Sequence, residues 1–169
     1  MDPNIITPFI QSTQNIFEVM LSMDVTLGDP SIKGHNEPSH DVSGIIGFTE
    51  GFEGSVVLSF PEATAFRICS MFVGAEITEP GEDLNDAIGE LVNMIAGGAK
   101  ASFQAGRVSI SCPNVVYGKG HRIAGSKDAT TVVLPCDCDC GPFSLEVAIR
   151  KSADQGSSAS TGAGAAAAG

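Results

Sequence analysis

Residues 83–100 read Asp83-Leu84-Asn85-Asp86-Ala87-Ile88-Gly89-Glu90-Leu91-Val92-Asn93-Met94-Ile95-Ala96-Gly97-Gly98-Ala99-Lys100. At about 100° per residue, Asp86, Glu90 and Asn93 fall within roughly 60° of one another on a helix. Leu84, Ile88, Leu91 and Ile95 fall on the opposite side. The spacing predicts a helix with one buried face and one face carrying an acid, an acid and an amide in a row. Gly97 and Ala101 continue that stripe, which then offers a surface that another backbone can approach closely. Taken alone, such a stripe is ordinarily a solvated helix face.

Upstream, Phe9, Ile10, Ile16, Phe17, Met20 and Leu21 have helical spacing over Pro8 to Met23, with Pro3 and Pro8 framing the start. Asp24 to Gly28 reads as a short strand, and Asp29 to His40 as a loop. Val42 to Thr49 and Gly54 to Phe60 read as strands joined by a Gly-containing connection at Glu50 to Glu53. A second helix is expected from Pro61, with Ser59 as its cap, Glu62 complementing the dipole and Gly74 ending it. The third helix is expected from about Asp83 to Phe103. Val108 to Val116 then reads as a strand interrupted by Pro113, which removes a ladder donor and points to an edge or a bulge. Lys119 to Asp128 is a polar loop. Thr130 to Leu134 and Phe143 to Ile149 are the last strands, joined by a turn at Gly141-Pro142.

The order is helix, strand, loop, strand, strand, helix, then helix, strand, loop, strand, strand. The two halves are alike, and Asn15 in the first helix lies where Asn93 lies in the third. The expected fold class is α/β of the α+β type: a pseudo-duplicated domain over 1–151 whose long helices cover one face of an antiparallel sheet. Residues 152–169 are Ser, Gly, Ala and Thr almost throughout and read as a disordered tail.

Composition narrows the function. Acidic residues outnumber basic ones by 20 to 9, giving a net charge of −11, and the few Lys and Arg are dispersed. That excludes the concentrated basic footprint of nucleic-acid binding and suits a partner with an exposed Lys or Arg. No apolar run approaches the roughly 20 residues that cross a bilayer. The start, Met1 to Phe9, lacks a basic region ahead of its apolar residues, so no secretory leader is expected. An odd number of cysteines, five, fits free thiols in a reducing cytoplasm.

Three stretches together carry a resemblance: 54–74 (GSVVLSFPEATAFRICSMFVG), 83–100, and the strand containing Pro113. They resemble the CheC, CheX and FliY group of bacterial chemotaxis phosphatases. The group's pattern is Asp or Ser, three residues, Glu, two residues, Asn, and a Pro further on. Here it is met by Asp86, Glu90, Asn93 and Pro113, with a somewhat shorter spacing to the proline. The similarity runs from about Phe9 to Arg150. Two-site members carry a second Glu and Asn pair on the first helix. Here Ser12 stands three residues before Asn15, so one site per chain is expected, the CheX-like arrangement.

The resemblance implies hydrolysis of the aspartyl phosphate on a CheY-like receiver domain, which brings its own Mg²⁺ and Lys, so no cofactor or metal of the chain's own is expected. A helper protein can then add a positioned water and excluded solvent. An amide suits the first task, because its oxygen and NH₂ can hold a water without a pKa near 7. That makes Glu90 and Asn93 the expected catalytic pair, with Asn93 assigned to the water and Glu90 to the receiver's Lys. Asp86, Gly97 and Lys100 are the expected partner contacts. The resemblance also implies a homodimer.

The same fold could serve as a receiver-binding or switch-associated module without hydrolysis. Cys136, Cys138 and Cys140 alternate, so on a strand their thiols would share one face and could form a soft-metal or redox sensor, although the C-x-x-C knuckle spacing is missing. His35, His40 and Asp41 sit close in one loop with no obvious third ligand. The sequence holds no P-loop, nucleophile elbow or dinucleotide fingerprint.

Overall fold

The structure, a computed structural model, describes residues 3–103, 108–124 and 129–152. The expected tail beyond Ser152 and the end of the expected loop at 125–128 lie outside the described residues. Three helices run over Pro3–Leu21 (α1), Glu62–Val73 (α2) and Glu82–Ser102 (α3). The strands are Thr26–Leu27 (β1), Ser31–Ile32 (β2), Val42–Thr49 (β3), Phe52–Phe60 (β4), Ser109–Ile110 (β5), Asn114–Tyr117 (β6), Val132–Cys138 (β7) and Gly141–Lys151 (β8).

All pairings are antiparallel and form one eight-stranded sheet. Its layout makes the duplication visible. The hairpins β3–β4 and β7–β8 meet through β4 and β8 at the centre. The short strands of the first half, β1 and β2, pair with β7 of the second. The short strands of the second half, β5 and β6, pair with β3 of the first. Each half thus finishes the other's edge, so neither hairpin could close its side of the sheet alone.

Alternation sorts the faces. Val42, Ile46 and Phe48 of β3, Val56, Leu58 and Phe60 of β4, and Phe143, Leu145, Val147 and Ile149 of β8 are buried beneath the helices. α1 is tied down by Phe9 edge-on to Phe48, with centroids 5.4 Å apart, and by Phe17 stacked on Phe143 at 4.9 Å. α3 descends on β3 at Gly44, where a Cβ would lie 2.9 Å from Ile88 Cγ2 and 3.0 Å from Val92 Cγ1. Part of the second face of the sheet is covered by the segment expected to be only a loop. There Lys33 reaches over to buried Glu146 at 2.7 Å, and the Ser39 hydroxyl donates to the same carboxylate.

Several local expectations change. α1 starts at Pro3, ahead of Pro8, and carries Pro8 in its second turn, where the ring supplies no N–H to the helix ladder. Ser59 does not cap α2: it lies on the sheet's second face, bonded to the Ser43 hydroxyl and accepting from the His40 N–H. The Glu62 N–H instead donates to Asp41 Oδ2, 3.0 Å away and just ahead of β3. Gly74 ends α2 in the left-handed region, as expected. The last hairpin turns at Asp139-Cys140 rather than Gly141-Pro142, with Gly141 at φ 122° already paired to Cys138.

Candidate functional site

Asp86, Glu90 and Asn93 project from α3 together, as the spacing predicts. Asp86 and Glu90 are exposed and Asn93 is half-buried. Their side chains make no hydrogen bond or ion pair among the described residues, so nothing there competes for a visitor. The helix is held rigidly beneath them, since Leu84, Ile88, Leu91, Val92 and Ile95 are fully buried. The three polar groups therefore sit at fixed angles on a stiff element, a condition for positioning chemistry.

Tertiary structure adds a second wall. A shallow groove runs beside the stripe, lined by Asn85, Asp86, Gly89 and Glu90 of α3 and by Pro113, Asn114 and Val115 across from them. The Pro113 ring packs on Gly89, its Cγ 3.5 Å from where a Cβ would sit. Pro113 is therefore brought to the Asp86–Glu90–Asn93 stripe although it is twenty residues further along the chain than Asn93.

The two adjacent glycines divide their roles. Gly97 is half-buried, and a Cβ on it would meet nothing within 4 Å, so the stripe does end on open space. Gly98 is the one already approached: its Cβ would lie 2.3 Å from Ser12 Oγ. Lys100 is exposed in the last turn of α3. On α1, Ser12 is buried, its hydroxyl donating to the Ile95 carbonyl, while Asn15 is exposed. The position three before Asn15 thus serves helix packing.

The family described as chemotaxis phosphatase CheX matches residues 42–137. The chain belongs to the CheX family. It is 36% identical to the CheY-P phosphatase CheX of Thermotoga maritima over 126 residues, which is 73% of this chain and 81% of that protein. Among solved structures, a CheC-like superfamily protein from Shewanella sp. PV-4 superposes with a TM-score of 0.80 at 31% identity, over 89% of this chain and 99% of that one. The chemotaxis protein CheX from Desulfovibrio desulfuricans gives a TM-score of 0.78 at 28% identity, over 88% and 99% respectively.

The remaining constellations resolve differently. Cys136 is buried and Cys138 half-buried on β7, whereas Cys140 is buried in the turn after it, so only two of the three thiols lie on a strand; Asp137 and Asp139 are exposed. All three thiols are free. Burial pushes the Cys136 thiol up to about 11 and raises Cys138 and Cys140 as well, which holds them protonated and weakens them as ligands or nucleophiles. His35 and His40 are exposed, and the Asp41 carboxylate accepts from the Glu62 N–H. Among the described residues no group of three or more His, Cys, Asp or Glu is arranged to hold a metal ion, and no helix is long and apolar enough to cross a membrane.

The sequence reading missed Gly89 and the groove it floors, together with Asn85 and Asn114. Pro113 inside a strand was the one available signal.

Proposed function

We propose that this protein accelerates dephosphorylation of a phospho-aspartate on a CheY-like response regulator. One observation carries the reading: Glu90 and Asn93, uncommitted and side by side on a rigid helix, stand in a chain 36% identical to a CheY-P phosphatase. The Asn93 amide holds a water in line with phosphorus, and its attack breaks the bond to the aspartyl oxygen. Glu90 pairs with the receiver's Lys and fixes the docking register. Asp86 extends the acidic contact, and Gly97 and Lys100 complete the docking face. Mg²⁺ belongs to the receiver and supplies charge neutralisation there. The setting is the cytoplasm, and the working form is a homodimer.

The test is phosphate release from a phosphorylated CheY-like receiver. Asn93→Ala is expected to cut the stimulated rate by about a hundredfold or more, the scale of losing one positioning group at a reacting centre. Circular dichroism should be unchanged, because the amide bonds no described side chain. Activity equal to the parent's would remove Asn93 from the mechanism. Receiver binding without stimulated hydrolysis by the parent would favour the non-catalytic module.

A further inference from the structure

The edge strand beside the site changes step after Ile110. β5 pairs Ile110 with Phe48, and the Ser111 N–H still donates to the Gly47 carbonyl at 2.9 Å. β6 then pairs Asn114 with Ile45. Between these pairs Ile46 alone faces both Cys112 and Pro113. One extra residue in an edge strand is a β-bulge, a device that re-aims the side chains after it.

Ser111 closes this bulge with its side chain. The Gly47 N–H donates to Ser111 Oγ at 2.9 Å, and that hydroxyl donates onward to the Cys112 carbonyl at 2.8 Å. In a regular antiparallel pair the Gly47 N–H would bond the Ser111 carbonyl instead. The hydroxyl therefore replaces a ladder acceptor that the extra residue turned away.

The consequence reaches the groove. Because of the extra residue, Val115 and Tyr117 take the helix side of the sheet opposite Gly44 and Val42. Without it, Asn114 and Val116 would hold those positions. The same step sets Pro113 against Gly89, with Val115 Cγ2 3.8 Å from the position of a Gly89 Cβ.

We propose that this bulge is the second wall of the receiver-docking groove and that Ser111 is its positioning residue, an inference that rests on a receiver being the partner of the Glu90–Asn93 stripe. Ser111 touches no reacting atom. It sets where Pro113 stands relative to Glu90.

The experiment compares the parent, Ser111→Ala, Ser111→Thr and Pro113→Ala as full chains. Dephosphorylation rate is measured against the concentration of a phosphorylated CheY-like receiver, and affinity for that receiver by calorimetry. Ser111→Ala is expected to raise KM about fivefold, the scale of one lost hydrogen bond, with kcat within about twofold. Ser111→Thr, which keeps the hydroxyl, should restore KM. A purely structural role would lower thermal stability without splitting KM from kcat. If Ser111→Ala does not fold, Pro113→Ala decides, since it removes the exposed ring and leaves the Ser111 bonds in place. Unchanged KM and affinity in the folded variants overturns the proposal. If the parent binds the receiver but does not hydrolyse it, the phosphatase reading fails, and weaker binding by both variants still upholds the groove. A parent that binds no receiver overturns both.

Discussion

The hydroxyl of Ser12 on α1 donates to the Ile95 carbonyl of α3 at 2.8 Å, buried at the seam between the two long helices. A donor that closes a seam this way needs the facing turn to be bare. Gly98 supplies that, with Ser12 Oγ only 2.3 Å from where its Cβ would be. The neighbouring Gly97 faces nothing.

These two glycines should therefore respond oppositely to alanine. Gly98→Ala must push Ser12 off the Ile95 carbonyl and is expected to cost about 1–3 kcal/mol, the range for overpacking a tight contact. Gly97→Ala meets no obstacle and is expected to stabilise the helix by about 0.5–1 kcal/mol. If Gly97 is where the receiver backbone lies close, the same variant should raise KM. Urea denaturation and phosphate release separate the two effects, and equal stability changes would refute the assignment.

Glu90→Gln tests the docking role apart from the water. The variant keeps shape and loses charge, so KM should rise about fivefold, as for loss of an exposed ion pair of about 1 kcal/mol. kcat should change little, in contrast to Asn93→Ala. The parent's KM should rise with ionic strength more steeply than the variant's. A kcat collapse in Glu90→Gln would place this carboxylate at the chemistry itself.

The ion pair on the far face of the sheet predicts a stability pattern. Lys33 and Glu146 are both nearly enclosed, with side-chain exposures of 8% and 4%. Lys33→Met alone leaves a buried carboxylate without its cation and is expected to cost about 3–5 kcal/mol. The double variant Lys33→Met with Glu146→Leu should recover most of that loss. A double-mutant cycle by chemical denaturation reads the difference, and additive losses would mean that the pair is not coupled.

Alkaline pH should weaken the fold through its thiols. Burial pushes Cys69 up to about 12 and Cys136 up to about 11, both above the ordinary value of 9.0. Above pH 9 the unfolded chain releases these protons while the native chain keeps them, so the native state binds more protons and stability falls as pH rises. The contribution is whole below pH 9 and is lost progressively toward pH 11 and 12. Cys69→Ala should flatten this decline relative to its own value at neutral pH. A thiol reagent should label exposed Cys112 well before buried Cys69 and Cys136.

How much of this was legible differs by element. Val42–Thr49 and the span of α3 were readable because strand alternation and helical periodicity are written in consecutive residues. The cap of α2 was not. Ser59 satisfies the local rule for a cap, yet the donor at Glu62 is met by Asp41, twenty-one residues earlier, because β3 and β4 bring it alongside. The packing role of Gly98 was not readable for a similar reason, since periodicity along α3 does not say where α1 lies.

The sequence by itself determined that Asp86, Glu90 and Asn93 leave one helix in one direction, because about 100° per residue is a property of the backbone and needs no partner. Only the tertiary structure decided what stands beside them. Pro113 on Gly89, the bulge that Ser111 closes on Gly47, and the exchange of edge strands between the halves all join residues far apart in the chain. Such contacts are selected by burial and by hydrogen-bond satisfaction over the whole sheet, and local spacing carries no record of them.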